Sequence, residues 1–147
     1  MQSQYNLGME YYFNSDMINA FQWLLKAAMQ GYTEAQLQVA LMYDYGNMLE
    51  IEKDPVKAIE WYEKAAYQNN EYAQYRLGEM YLDGEGGQQN YDKAVEWLQK
   101  AAQQGYLVLN ISLVTYIIMV EECLKISIKH LAGLKKLQKM GTQMLNM

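Results

Sequence analysis

The residues that most often carry catalysis or metal binding are scarce in this 147-residue chain. His130 is the only histidine, which argues against histidine-based triads and excludes metal sites with several histidines. Cys123 is the only cysteine, so no disulfide forms within the chain, and a reducing compartment, with the cytoplasm favoured, is expected. We therefore predict no cofactor, no metal and no catalytic residues.

Two loops carry residues that bind ligands in other contexts. The glycine-rich stretch Gly84–Gly87 is not followed by Lys-Ser or Lys-Thr, so it predicts a turn between helices rather than a phosphate loop. The acids Asp44, Glu50, Glu52 and Asp54 lack the alternating ligands and closing glutamate of a calcium loop, which favours a solvated acidic loop. Paired carboxylates for glycoside hydrolysis stay open, since nothing distinguishes any two of the 17 acids.

The composition predicts an all-α domain with an acidic body. Half of the residues are apolar (51%), and there is one proline, the residue that most disfavours helix. Residues 1–106 hold 15 acids and 7 bases, which argues against nucleic-acid binding. The start MQSQYNLGMEYY has no basic region followed by an apolar run, so no secretory signal is expected. The most apolar stretch, Leu107–Val120, is too short and too polar to predict a membrane span.

A three-fold repeat is the strongest pattern in the sequence. Aligning the tryptophans Trp23, Trp61 and Trp97 also aligns an alanine three residues before each and a Lys-Ala-Ala triplet three residues after each. Each triplet is followed by a glycine or asparagine, at Gly31, Asn69 and Gly105. Upstream, a small residue with a tyrosine three residues later recurs as Gly8 with Tyr11, Ala40 with Tyr43 and Gly78 with Tyr81. Each unit is therefore predicted to be two short helices.

The local signals agree with a helical hairpin in each unit. Asp54-Pro55 combines an N-cap with a proline at the first helical position. Gly31, Asn69 and Gly105 suit the left-handed residue that ends a helix. The small residue in each first helix lets the neighbouring helix approach closely.

These residues resemble Sel1-like repeats, relatives of the tetratricopeptide repeat. The third unit, AQYRLGEMYLDGEGGQQNYDKAVEWLQKAAQQG, matches the family pattern almost throughout. The second unit departs in its loop at residues 46–50, and the first has only eight residues between Tyr11 and Ala20. We predict three repeats within residues 1–106, at about 4–32, 33–70 and 71–106. The resemblance implies an all-α, right-handed superhelix of antiparallel hairpins whose first helices line a concave face.

The resemblance also implies a function, an interaction module or adaptor that binds a protein or peptide on this face. The side of the first helices that faces away from the second helices is aromatic, aliphatic and acidic, without lysine or arginine, so an apolar partner with some basic residues is expected. The predicted partner-binding residues are Met9, Tyr12, Phe13, Leu41, Asp44, Tyr45, Glu79, Leu82 and Asp83. Tyr5 and Tyr75 are equally expected to line this face or to pack between neighbouring repeats. The alternative is the β-lactamase activity described for some cysteine-rich Sel1-like proteins, whose paired cysteines this chain lacks.

Residues 107–147 lack the repeat as written, although a fourth unit is due at Leu107. Joining the third base of each codon to the first two bases of the next gives glycine without ambiguity at Met119-Val120 and at Met140-Gly141. These glycines are 21 positions apart, as Gly84 and Gly105 are. In the same frame Ala132-Gly133 permits tryptophan, positions 135–137 permit Lys-Ala-Ala, and positions 112–113 permit Leu-Gly.

This agreement favours the hypothesis that a single-nucleotide slip near codon 107 turned a fourth repeat into out-of-frame translation. Two alternatives stay open, a divergent C-terminal helix pair and a non-functional truncated gene product. In each case residues 121–140 have apolar residues at roughly helical spacing, which predicts a helix that covers the last hairpin.

Overall fold

The computed structural model describes residues 1–46, 50–87, 89–106 and 111–147, with the side chains of 111–117 outside the described part. Its described residues form seven α-helices and no β-strand, which confirms the predicted all-α class. The helices are α1 (Gln2–Phe13), α2 (Met17–Met29), α3 (Thr33–Tyr45), α4 (Pro55–Tyr67), α5 (Glu71–Asp83), α6 (Tyr91–Gln103) and α7 (Ile111–Leu145). A short 3₁₀ turn, Glu85–Gly87, follows α5.

Local side chains cap the N-termini of α2, α4, α5 and α6. The Asp54 carboxylate accepts a hydrogen bond from the Lys57 amide at 3.1 Å, and Pro55 is the first residue of α4. Gly31, Asn69 and Gly105, just beyond α2, α4 and α6, have φ of 90°, 64° and 83°. The predicted caps are therefore confirmed.

Residues 1–106 form three antiparallel hairpins, α1 with α2, α3 with α4 and α5 with α6, and each later hairpin packs its first helix on the second helix before it. The small residues in the first helices allow the close approach. A Cβ added at Gly8 would lie 2.8 Å from Cγ of Leu24, and one at Gly78 would lie 2.5 Å from Cγ of Leu98. The hairpins therefore stack in chain order as an α-α superhelix.

The core consists of two clusters of buried residues that meet at the second hairpin. One is built around Ala20, Leu24 and Val39, and the other around Tyr62, Leu77 and Trp97. Trp61 packs partly buried against both clusters. The Trp-x-x-Lys spacing has a physical reason, since the lysine ammonium groups of Lys26, Lys64 and Lys100 lie 4.2, 3.9 and 4.3 Å from the ring centroids of Trp23, Trp61 and Trp97.

The C-terminal region forms a compact unit of its own, Leu109–Met147, which contains α7. Every side chain from residue 122 to residue 147 is exposed, including those of Ile126, Ile128, Leu131 and Leu134. Across the described residues, no helix combines the length and the apolar character that crossing a bilayer requires. The prediction that this region covers the last hairpin stays a prediction.

Candidate functional site

Three of the predicted partner-binding residues meet at one groove. Tyr12 at the end of α1 and Leu41 and Tyr45 in α3 line a cavity of about 290 Å³. The cavity is also lined by Met17, Gln38, Met42, Gly46 and Ile51. We call this cavity the α1–α3 groove. None of these lining side chains is charged, so the described part of the groove offers an apolar surface with tyrosine hydroxyls and an amide.

The edge of the α1–α3 groove carries exposed aromatic rings. Tyr45 is 65% exposed and Phe13 77% exposed. The Phe13 ring stands edge-on to Tyr12, with 6.0 Å between centroids. Met9, one turn earlier, is partly buried against the first core cluster. Aromatic side chains held this way lose little conformational freedom when a partner covers them.

Asp44 lies in the interior, which corrects its assignment to the binding surface. Its side chain is 1% exposed, and its carboxylate accepts hydrogen bonds from the Tyr62 hydroxyl at 2.9 Å and from Nε of Arg76 at 2.8 Å. Helical periodicity put Asp44 on the face of Tyr12 and Leu41. Since Tyr62 and Arg76 bind it from α4 and α5, the carboxylate serves the contact between repeats and is unavailable to a partner.

The three predicted residues on α5 are not among those that line the α1–α3 groove. Glu79 pairs with Arg76 at 3.2 Å and accepts a hydrogen bond from the Tyr75 hydroxyl. Leu82 packs partly buried against the second core cluster, and Asp83 is exposed at the last position of α5. Of these three residues, Asp83 alone keeps an exposed side chain.

Arg76 neutralises much of the acidic charge that the sequence assigned to this face. Its guanidinium contacts Asp44, Glu79 and Glu85, the last at 3.3 Å. Burial would lower the pKa of Arg76, but the hydrogen bond and charge of Asp44, together with Glu79 and Glu85, raise it, so the cation is permanent. The surface of the third repeat is consequently less acidic than its sequence suggests.

A tyrosine cluster on the third repeat joins Tyr75, which sequence reasoning named, to Tyr72 and Tyr106, which it missed. Tyr75 and Tyr106 have ring centroids 5.1 Å apart, and Tyr72 lies 6.2 Å from Tyr106. Burial, followed by a hydrogen bond to Tyr45, raises the pKa of Tyr72. Alignment of the repeats could have revealed this cluster, because Tyr5 aligns with Tyr75 and Tyr32 aligns with Tyr106. The ring centroids of Tyr5 and Tyr32 are 5.0 Å apart. The cluster extends the aromatic surface from Tyr45 onto α5.

Within the described part of the chain, no three His, Cys, Asp or Glu side chains are grouped so that they hold a metal ion. Cys123 is exposed in α7. The arrangement that the described residues do offer is a recognition surface, an apolar groove with aromatic edges on a rigid helical support.

Comparison with known proteins identifies the repeat. The family model described as "Sel1 repeat" matches residues 2–32, 33–70 and 71–106. A crystal structure of a Sel1 repeat protein from Oxalobacter formigenes is 37% identical with a TM-score of 0.64, covering 69% of this chain and 43% of that one. The structure of c5321, a protective antigen of uropathogenic Escherichia coli with an SLR fold, is 33% identical with a TM-score of 0.64, covering 71% of this chain and 23% of that one. No curated protein sequence matches significantly.

The chain thus spans less than half the length of either solved relative. Sel1 repeats generally act as protein-interaction modules, and Sel1 repeat proteins are typically non-enzymatic scaffolds. The family model covers more than half of the chain, and the predicted resemblance is confirmed in all three hairpins. The chain belongs to the Sel1 repeat family.

Proposed function

We propose that this chain is a non-enzymatic adaptor whose α1–α3 groove binds an apolar segment of a partner protein. The observation that supports this proposal is the groove itself, about 290 Å³ between two first helices with Tyr12, Leu41 and Tyr45 on its walls. Tyrosines that surround an apolar depression are typical anchors of protein interfaces, because they bury a large surface and keep a hydroxyl for hydrogen bonding. The depression accommodates one or two large apolar side chains.

Basic residues beside the apolar segment strengthen the encounter. Residues 1–106 carry 15 acids against 7 bases, and Arg76 offsets only part of that excess. A complementary charge on the partner raises the rate of association, and this contribution falls as salt is added. The expected ligand is therefore an apolar peptide flanked by lysine or arginine, whose affinity depends moderately on salt.

A peptide library displayed on phage and selected on the purified full-length chain tests the proposal. The selected sequences should share one or two large apolar residues with a basic neighbour. A synthetic copy of the best peptide should lose at least about 30-fold in affinity for the Tyr12→Ala/Tyr45→Ala double variant, because each lost anchor costs about 1–2 kcal/mol.

The matched control is Tyr91→Ala, which removes an exposed tyrosine from a second helix, away from the groove residues. Binding to this variant should equal binding to the native chain. If the peptide binds the double variant and the native chain with equal affinity, its binding site lies outside the α1–α3 groove. Turnover of a β-lactam by the pure protein contradicts the non-enzymatic assignment.

A further inference from the structure

A ladder of glutamine side chains links each hairpin to the one before it. Gln36 in α3 donates from Nε2 to the Ala28 carbonyl at 3.2 Å, and Gln74 in α5 donates to the Ala66 carbonyl at 3.1 Å. Both glutamines are buried. Each is held by a glutamine at the end of its own hairpin, since Oε1 of Gln74 accepts from Gln104 at 2.6 Å. A buried amide with all its partners in place fixes the register of one repeat on the next.

The next acceptor in this ladder is at Ala102, at the end of the third hairpin. Ala102 occupies the position of Ala28 and Ala66, which are both 1% exposed because a following first helix covers them. Ala102 is exposed. Its carbonyl accepts the backbone amide of Gly105 in the same way as the Ala66 carbonyl accepts that of Asn69. The third hairpin therefore presents the stacking surface of an internal repeat.

The codons that follow are compatible with the missing half of this contact in a shifted frame. In the frame that joins the third base of each codon to the first two of the next, Val108-Leu109 permits alanine and Leu109-Asn110 permits glutamine. If one nucleotide is restored before codon 107, this glutamine is the fifth residue after Gly105. Gln36 and Gln74 are likewise the fifth residues after Gly31 and Asn69.

The shifted frame keeps this register to the end of the sequence. The glycine at Met140-Gly141 is followed four and five positions later by positions that permit alanine and glutamine, the spacing at which Ala35 and Gln36 follow Gly31. As translated, residues 122–147 have exposed side chains.

We propose that the α5–α6 end of the stack, around Ala102 and Gln104, is the docking surface for a fourth Sel1 hairpin, and that the gene encodes this hairpin across codons 107–147, out of frame by one lost nucleotide. The occupant is thus a hairpin of the same repeat type that places a glutamine amide on the Ala102 carbonyl. This inference is independent of the partner bound in the α1–α3 groove.

The DNA sequence of codons 107–147 gives the first test. The codons used in the gene decide which residue each shifted position encodes. At several positions, such as Leu109-Asn110 and Leu124-Lys125, the shifted codon is a stop codon if the leucine codon ends in T. We expect an open shifted frame with tryptophan at Ala132-Gly133. A stop codon in this frame, or another residue at that position, overturns the proposal.

Thiol labelling tests the docking surface. The first protein is the native chain with Ala102→Cys and Cys123→Ser. The second, the frame-restored chain, is expressed from a gene with one nucleotide inserted before codon 107. It also carries Ala102→Cys, and any other cysteine in it is replaced by serine. The reaction of the introduced thiol with 5,5′-dithiobis(2-nitrobenzoate) should be at least about 10-fold slower in the frame-restored chain, since its burial there makes labelling depend on an opening step.

Gln103→Cys is the matched control in both chains. Its register equivalents, Met29 and Tyr67, remain exposed beside a following hairpin, so its labelling rate should not change. Equal labelling rates of Ala102→Cys in the two chains, or a frame-restored chain that does not unfold cooperatively, overturn the proposal.

Discussion

Asp44 and Arg76 form a two-point ion pair, with Nε of Arg76 2.8 Å from Oδ2 of Asp44 and Nη2 3.0 Å from Oδ1. The pair joins α3 to α5, the first helices of the second and third repeats. The Tyr62 hydroxyl, from α4, donates to the same carboxylate. One buried anion therefore holds three helices in register.

Removal of Arg76 should destabilise the fold strongly. In Arg76→Ala the Asp44 carboxylate stays buried without its counter-ion, and the free energy of unfolding should fall by about 3–5 kcal/mol. Arg76→Lys keeps the charge but loses the two-point geometry, so its loss should be intermediate. Urea denaturation followed by circular dichroism measures both changes. Lys57→Ala, which breaks the exposed pair with Asp54, is the control, and a loss for Arg76→Ala no larger than that of the control contradicts the prediction.

Gly78→Ala should also lower stability, although alanine is the better helix former. The added Cβ meets Leu98 at 2.5 Å, and overpacking of this kind costs about 1–3 kcal/mol, against a gain of about 1 kcal/mol from helix propensity. In a Leu98→Ala background the same change should no longer be harmful. The control is Gly133→Ala in α7, whose Cβ meets nothing within 4 Å. Thermal unfolding of the single and double variants measures the coupling, and additive effects of the two changes would refute the proposed clash.

Asn69 should respond to substitution according to its left-handed backbone. Asn69 has φ of 64° at the position that glycine occupies in the other two repeats. Asn69→Ala should lower the free energy of unfolding by about 1 kcal/mol, because alanine has a β-carbon but lacks the polar side chain that lets asparagine adopt a left-handed backbone. Asn69→Gly should cause no loss, because glycine adopts this backbone freely. Chemical denaturation of the two variants side by side decides the point. If both variants are equally stable, the backbone conformation is not the cause.

Alkaline pH should destabilise the protein through its buried tyrosines. Burial first, and then the charge and hydrogen bond of Asp44, raise the pKa of Tyr62, and burial with a hydrogen bond to Glu63 raises the pKa of Tyr81. A group whose pKa is higher in the folded state contributes fully below its unfolded pKa, about 10 for tyrosine, and loses that contribution as pH rises further. The urea midpoint should therefore fall between about pH 10 and pH 12.

Tyr62→Phe isolates the larger of these two contributions. The variant lacks the ionisable hydroxyl, so its urea midpoint should fall less steeply above about pH 10 than that of the native chain. A slope equal to that of the native chain would show that Tyr62 does not titrate on unfolding.

The sequence was sufficient to predict the fold because the residues that define each hairpin lie close together in the chain. The caps at Asp54 and Gly31 and the Trp-x-x-Lys spacing act within one or two helical turns, and the structure confirms them. The binding surface was less predictable. Helical periodicity assigned Asp44 to the outside because the residue that binds it, Arg76, is 32 positions away and leaves no periodic signal.

Long-range pairing also explains the residues that were missed. The tyrosine cluster depends on Tyr106, which follows α6 and reaches back to Tyr75 in α5. The groove assignments of Tyr12 and Tyr45 remain predictions, since they depend on a partner rather than on contacts within the chain.

The placement of one tryptophan in every hairpin, each beneath its own lysine, makes the three indoles separate optical reporters. Trp97 is buried in the second cluster, whereas Trp61 touches both clusters. A variant with Trp61 as its only indole should report by fluorescence on the separation of the two halves of the core. A variant that retains only Trp97 should report on fraying from the C-terminal end of the stack. The order in which the repeats unfold is thus readable from the native chromophores, without an added dye.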